Sequence, residues 1–211
     1  MMREMSFEEK QSGGIGMKAT HAAALNLGCG RKHIEGAVNV DLSASVAPEV
    51  VHDLNVRPWP FASDSFEHVY AYDVIEHVDD VIATMNEIHR VCRAGARVEI
   101  TVPHFSCANT FADPTHQHAF AHTSFHYVTG EHEFSFYTDR IFRRRASEMV
   151  FQPSLVNKVV RRLANRFPEA YEMRWAWIFP AWFLYFDLEV VKASPPRSVS
   201  ANDANLHRAC D

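Results

Sequence analysis

The sequence predicts one α/β domain built on an open, mostly parallel sheet. Three observations lead to this class. An apolar run over residues 22–27 stops at Gly28-Cys29-Gly30, a second run over 37–40 ends in Asp41, and strand-like and helix-like segments then alternate through residue 102. Apolar residues followed at once by glycines mark a buried strand that closes in a tight turn. Strands alternating with helices favour a parallel sheet. In such sheets ligands collect at the carboxyl ends of the strands, and an acidic residue closing a strand is placed to hydrogen-bond a ribose diol.

The elements follow in order. Glycine at positions 28 and 30 frees the backbone to take unusual dihedrals and lets a ligand lie against it. Only ten residues separate Gly30 from Asp41, too few for a full crossover helix, so the first helix must be short or replaced by a loop. Residues 50–54 read as a short strand. Pro58 and Pro60 keep residues 57–66 out of a helix interior, with Phe61 and Phe66 as core anchors. Residues 68–72 read as the fourth strand. Asp79 or Asp80 caps a helix over 81–92, whose Val81, Met85, Ile88 and Val91 recur at helical spacing, and Gly95 ends it. Residues 97–102 alternate as the fifth strand, and residues 156–167 form a helix with Val156, Val159, Val160 and Leu163 on one face.

Composition narrows the function. A chain of 211 residues that is 47% hydrophobic suits a single domain with a sizeable core. Its net charge of −5 argues against a general nucleic-acid binder, which normally carries a basic surplus. Cys29, Cys92, Cys107 and Cys210 lack the paired spacing of a zinc site or disulfide framework, as expected of free thiols in a reducing compartment. The N-terminus has no apolar signal-peptide core. The longest apolar stretch, 175–186, is interrupted by Pro180 and is too short to span a membrane. A soluble, cytoplasmic protein is expected, with a leader over 1–20, a domain over 21–193 holding a substrate-binding insertion at about 103–150, and a tail over 194–211. The basic cluster Arg140, Arg143, Arg144, Arg145, Lys158, Arg161, Arg162 and Arg166 reads first as a solvated helix face.

Leu27-Gly28-Cys29-Gly30 and Asp41 resemble motif I and the following acidic strand of the class I S-adenosylmethionine-dependent methyltransferases. The resemblance continues in Trp59-Pro60-Phe61 with Ser65-Phe66, and in Glu76-His77-Val78, the counterpart of the family's EHV signature. It spans about residues 22–192. It implies a Rossmann-like sheet ending in an antiparallel edge pair, here read at 171–177 and 183–192. It further implies that Leu27, Gly28, Cys29 and Gly30 approach the methionine moiety, Asp41 holds the ribose, Asp53 and Leu54 frame the adenine, and Tyr72 and Asp73 close the pocket. Two departures stand out: Asn26 occupies a position often acidic in the family, and the first crossover is short. A nicotinamide cofactor would need a third glycine, where His33 stands, and a later acid.

The stretch after the fifth strand is the unusual part. Six of the 13 histidines fall between His104 and His132. Asp113-Pro114-Thr115-His116 sets a carboxylate and an imidazole three residues apart, the parts of an oriented histidine base. His116 leads, with Asp113 orienting it and His104 and His118 as further candidates. Asp113, His116 and His118 could instead ligate a divalent metal such as magnesium, which would acidify a hydroxyl. The bland reading of each histidine, a loop hydrogen-bonder, stays open. This stretch also resembles small bacterial methyltransferases associated with polysaccharide or glycolipid assembly. The reading is O-methylation of a sugar or other small acceptor. N-methylation of a small amine and a non-catalytic cofactor-binding scaffold remain as alternatives. The aromatic residues between Trp175 and Phe186 suit core strands, a homodimer interface or a stacking platform for sugar rings.

Overall fold

The computed structural model describes residues 23–131 and 141–192. The leader, the tail and Cys210 lie outside them. β1 (Ala24–Leu27) is the hub, pairing in parallel with β2 (Ala37–Asp41) on one side and β4 (Phe66–Tyr72) on the other. β3 (Val50–Val51) adds to β2, and β5 (Cys92–Pro103) adds to β4, both in parallel. β7 (Phe183–Val190) then lies between β5 and the edge strand β6 (Phe142–Val150), antiparallel to both. The order is β3-β2-β1-β4-β5-β7-β6, as expected for a Rossmann-like sheet with an antiparallel edge.

Register sorts the two faces. Leu25, Val69, Val98 and Leu188 lie side by side across four strands, and Leu27, Ala71, Ile100 and Phe186 form the next row. All eight are fully buried, each side chain larger than alanine contributing about 1.5–3 kcal/mol. α1 (Val81–Val91) buries Met85, Ile88 and Val91 and begins at Asp80, whose carboxylate accepts from the Ala83 N–H at 2.9 Å. The opposite face is polar: Asn26, Tyr70, Glu99 and Asp187 form one row, and Tyr72, Thr101 and Tyr185 another. Parallel strands usually carry helices on both faces. Among the described residues no α-helix joins β1 to β2 or β2 to β3, the latter link holding only a three-residue 3-10 turn at Ala44–Val46, and these strands alternate instead of running apolar throughout.

Several expected elements differ. Residues 171–177 are not a strand: Pro168 opens α5 (Pro168–Arg174), with Glu169 in its first turn. Proline at the first helical position and an acid beside the N-terminus both favour helix, and this outweighs the β-propensity of the aromatics. The real partner of β7 is β6. β6 thus occupies residues 142–150 within the stretch expected as an insertion over about 103–150. β3 has two residues instead of five. α1 stops at Val91, and Gly95 sits at φ 79° within β5. α4 (Leu155–Arg166) forms as its periodicity predicts, starting at the Ser154 cap. Its apolar face points outward, with Val156, Val159 and Leu163 exposed and Ala164 buried.

Candidate active site

A cavity of about 300 Å³ lies at the carboxyl ends of β1, β2 and β4, lined in part by Gly28, Asp41, Leu42, Asp53, Leu54 and Asp73. Gly28 adopts φ +59°, and a Cβ there would come 2.4 Å from Val74 Cγ2, so only glycine fits between the turn and the segment after β4. Both oxygens of Asp41 are tied: Oδ2 accepts from the Gly30 N–H and Oδ1 from the Ser43 N–H, each at 2.8 Å. A carboxylate has lone pairs to spare after two such bonds, so Asp41 arrives pre-aimed and still able to accept from a diol. Asp73 holds φ +54°, rare for a non-glycine residue. Thr101 pins it, its hydroxyl donating to Asp73 Oδ1 and its carbonyl accepting the Asp73 N–H, both at 2.9 Å.

A buried amide pair does the work of the missing crossover helix. Asn26 Nδ2 donates to Asn39 Oδ1 at 2.8 Å and to the Lys32 carbonyl at 3.0 Å. Asn39 Oδ1 also accepts from the Ile34 N–H at 2.8 Å. These bonds hold the 31–36 turn against β1 and β2. The sequence departure at Asn26 is thereby explained as a structural substitution.

A second cavity of about 520 Å³ adjoins the first and is lined by Asp73, Glu76, His77, Asn109, Asp113 and His116 among others. Asp73 and His77 face both cavities. The insertion is fastened to the turn after β4. Gln117 N–H donates to the Glu76 carbonyl at 2.8 Å, and its side-chain amide donates to the His77 carbonyl and Asp79 Oδ1, each at 2.9 Å. His116 Nδ1 lies 3.2 Å from the Thr110 carbonyl. A carbonyl only accepts, so that nitrogen carries the proton and Nε2 presents its lone pair. Nε2 lies 4.0 Å from both Glu76 Oε1 and Asp113 Oδ2. Burial, reinforced by the nearby charges of Asp73 and Asp113 and opposed by its own backbone hydrogen bond, pushes the Glu76 carboxyl up to about 7. The Thr115 hydroxyl and N–H hold Asp113 below the usual carboxylate range. Glu76, His77 and His116 each offer a ligand atom, all within 4.8 Å of one another.

Residues 25–100 match the family model of a methyltransferase domain. The match covers 76 of the 211 residues, from β1 into β5. Comparison with curated protein sequences gave no match. Among solved structures, an S-adenosylmethionine-dependent methyltransferase from Mesorhizobium loti aligns with a TM-score of 0.52 at 16% identity, over 79% of this chain and 89% of the other. One from Archaeoglobus fulgidus aligns with a TM-score of 0.56 at 16% identity, over 79% and 85%. A third, a methyltransferase from Bacillus halodurans, gives 0.56 at 12% identity over 80% and 92%. At these identities the structures speak to the fold, which is theirs.

S-adenosylmethionine, which the Mesorhizobium and Archaeoglobus proteins are named for, fits the first cavity on its own evidence: a glycine turn with no room for a Cβ, a fixed acid at the end of β2, and Asp53 and Leu54 beyond it. Leu42, 69% exposed beside Asp41, is an apolar wall that the sequence alone did not single out. The Leu27 and Cys29 side chains are buried, leaving their backbone as what they offer. Cys29 N–H is already spent on the Val40 carbonyl at 3.0 Å. Tyr72 does not close the pocket. It points to the polar face of the sheet, where its hydroxyl donates to Glu99 Oε2 at 3.1 Å; burial and the Glu99 charge raise its pKa.

The candidate bases divide. His116 and Asp113 line the second cavity. His104 is fully buried, accepting from the Ser106 N–H at 3.1 Å and bonded through Nε2 to Glu172 at 3.2 Å, so it braces the insertion against α5. His118 Nε2 donates to the Val78 carbonyl at 2.8 Å, and so is another fastener of the insertion. The proposed trio Asp113, His116 and His118 is not the one brought together. Glu76 and His77 take the place of Asp113 and His118. An acid and a histidine directly after a strand that feeds the ligand edge were the signal available for both.

Proposed function

We propose that this protein is an S-adenosylmethionine-dependent methyltransferase and that it methylates a hydroxyl on a sugar or another small polar acceptor. The observation that carries the reading is the shared wall of Asp73 and His77 between the two cavities. A methyl donor in the first cavity and an acceptor in the second meet there, and methyl transfer depends chiefly on such alignment. S-adenosylmethionine supplies an electrophilic sulfonium methyl. The protein's share is to position the acceptor oxygen and to accept its proton. Carboxylates, imidazoles and Asn109 make the second cavity suited to a polyhydroxylated ligand, and the Nε2 lone pair of His116 is the leading proton acceptor.

The test is methyl transfer from labelled cofactor to a panel of sugars, read alongside S-adenosylhomocysteine binding by calorimetry. His116→Ala is expected to lower kcat by about 10²–10⁴-fold while cofactor-product binding stays within about twofold. Unchanged turnover would remove His116 as the base and favour an amine acceptor. Binding without turnover of any acceptor would favour the scaffold reading.

A further inference from the structure

We propose that Glu76, His77 and His116 form a mononuclear site for a divalent transition-metal ion, open toward the acceptor cavity. The inference rests on the O-methylation reading and deepens it. Three independent features support it. First, ligand atoms of all three residues lie within 4.8 Å of one another, so modest closure by about an ångström reaches the edge of a shell with bonds of about 2.0–2.2 Å.

Second, both imidazoles are held with their outer nitrogen free. His116 Nδ1 is committed to the Thr110 carbonyl at 3.2 Å. The Thr115 hydroxyl gives its proton to Asp113 Oδ1 at 2.7 Å, so at 2.9 Å it must accept from His77 Nδ1. Each ring is then left with an unprotonated Nε2, the state a metal ligand requires. The chain Asp113–Thr115–His77 is an outer shell of the kind that fixes ligating histidines.

Third, Glu76 is 1% exposed, and its Oε2 has no hydrogen-bond partner among the described residues. A buried carboxylate oxygen left unpaired is costly, and a cation removes that cost. Two imidazoles with one carboxylate suit zinc, cobalt, iron(II) or manganese better than magnesium, which prefers oxygen donors.

With the ion bound, the acceptor hydroxyl occupies an open position and its proton becomes more acidic. The proton passes to Asp113, which lies 4.0 Å from His116 Nε2 and is open to water. The oxygen's electron pair forms the new bond to the methyl carbon. The carbon–sulfur bond breaks with its pair going to sulfur, so the sulfonium becomes a thioether and one proton is released. His116 then serves as a ligand, and Asp113 takes over the proton.

The test uses the full chain stripped with a chelator and titrated with Co²⁺ and Zn²⁺ in the presence of S-adenosylhomocysteine. Expected are one ion per chain at micromolar affinity and visible cobalt absorption typical of nitrogen ligation. Glu76→Gln and His116→Ala should each weaken cobalt binding by about 100-fold or more, and Thr115→Val by about 10–100-fold through loss of orientation. Cobalt affinity unchanged in Glu76→Gln and His116→Ala, or full methyl transfer by the chelated protein, overturns the metal site and leaves the methyltransferase reading standing. Failure of the stripped and loaded protein alike to bind S-adenosylhomocysteine overturns that reading instead. Normal S-adenosylhomocysteine binding by the variants shows that they fold.

Discussion

Gly28 and Val74 approach each other so closely that the pair behaves as one unit. Alanine at 28 meets Val74 Cγ2 at 2.4 Å and inherits φ +59°, a conformation costing about 1–2 kcal/mol for a residue with a Cβ. Gly28→Ala is expected to lose about 2–4 kcal/mol in urea unfolding, from strain plus overpacking. Adding Val74→Ala removes the Cγ2 clash but leaves the Val74 Cβ position 2.7 Å away, so it should recover part of the packing loss and none of the backbone part, still giving a positive coupling in the double-mutant cycle. Purely additive losses would refute the contact. Asp41 gives a second residue-level expectation. Asp41→Asn keeps the shape but loses one acceptor oxygen, and S-adenosylhomocysteine affinity should fall by about 10–100-fold, the worth of a charged hydrogen bond. Calorimetry showing wild-type affinity would dismiss Asp41 as the ribose ligand. Both positions were legible in sequence because their roles are backbone roles, written in glycine and in the last residue of an apolar run. Glu76 and His77 were less legible as site residues, since their partners lie 38–40 positions away, in the insertion.

At the level of elements, the stretch before β4 is stitched to α1 by one ion pair. Glu87 accepts from the Trp59 N–H at 2.9 Å and from Arg90, while Arg90 reaches the carbonyls of Trp59 and Phe61 at 3.2 and 2.9 Å. The Arg90 hydrogen bonds, aided by the Trp59 N–H and opposed by burial, lower the Glu87 carboxyl's pKa. A lowered folded-state value means the unfolded chain binds the proton first as pH falls. The stabilisation is therefore full above the ordinary glutamate range, about 4.3, and is lost as pH drops through the folded value. Glu87→Gln should destabilise at pH 7 and converge on the parent in acid. A gap that stays constant with pH would argue against the pairing.

The same scale shows why some elements misled. β6 contains Arg143, Arg144 and Arg145, which disguise it as a polar segment. In the sheet it is an edge strand, where charge is tolerated and even protective, and Arg143 pairs with Glu189 across the register at 2.6 Å. α5 carries aromatic, strand-like residues whose helical state is set by Pro168 and by docking of Tyr171 against Phe151 and His104. Neither contact can be counted from spacing. By contrast β1, β2, β4 and α1 are stated outright by apolar period and caps.

For the whole molecule, the two sheet faces divide the labour. One face holds the apolar core. The other carries a hydrogen-bonded layer in which Tyr72 and Tyr185 both donate to Glu99 Oε2, and Arg97 donates to Asp187 Oδ1 at 3.0 Å. Among the described residues no helix is long and apolar enough to cross a membrane.

The fastening of the insertion onto residues 76–79 has a thermodynamic consequence. His77 and Val78 line the first cavity, and the insertion that grips them through Gln117 and His118 walls the second. Anything that stiffens this turn from one side is felt on the other, so the two ligands should bind with a shared coupling free energy. Reciprocity requires S-adenosylhomocysteine to change acceptor affinity by the same factor as the acceptor changes its own. Gln117→Ala removes the two side-chain bonds of the clasp at a residue that lines neither cavity, and should move that factor toward one while each ligand's separate affinity changes far less. Titrating each ligand in the presence and absence of the other measures it. Equal coupling in parent and variant would show that the cavities are neighbours without being linked.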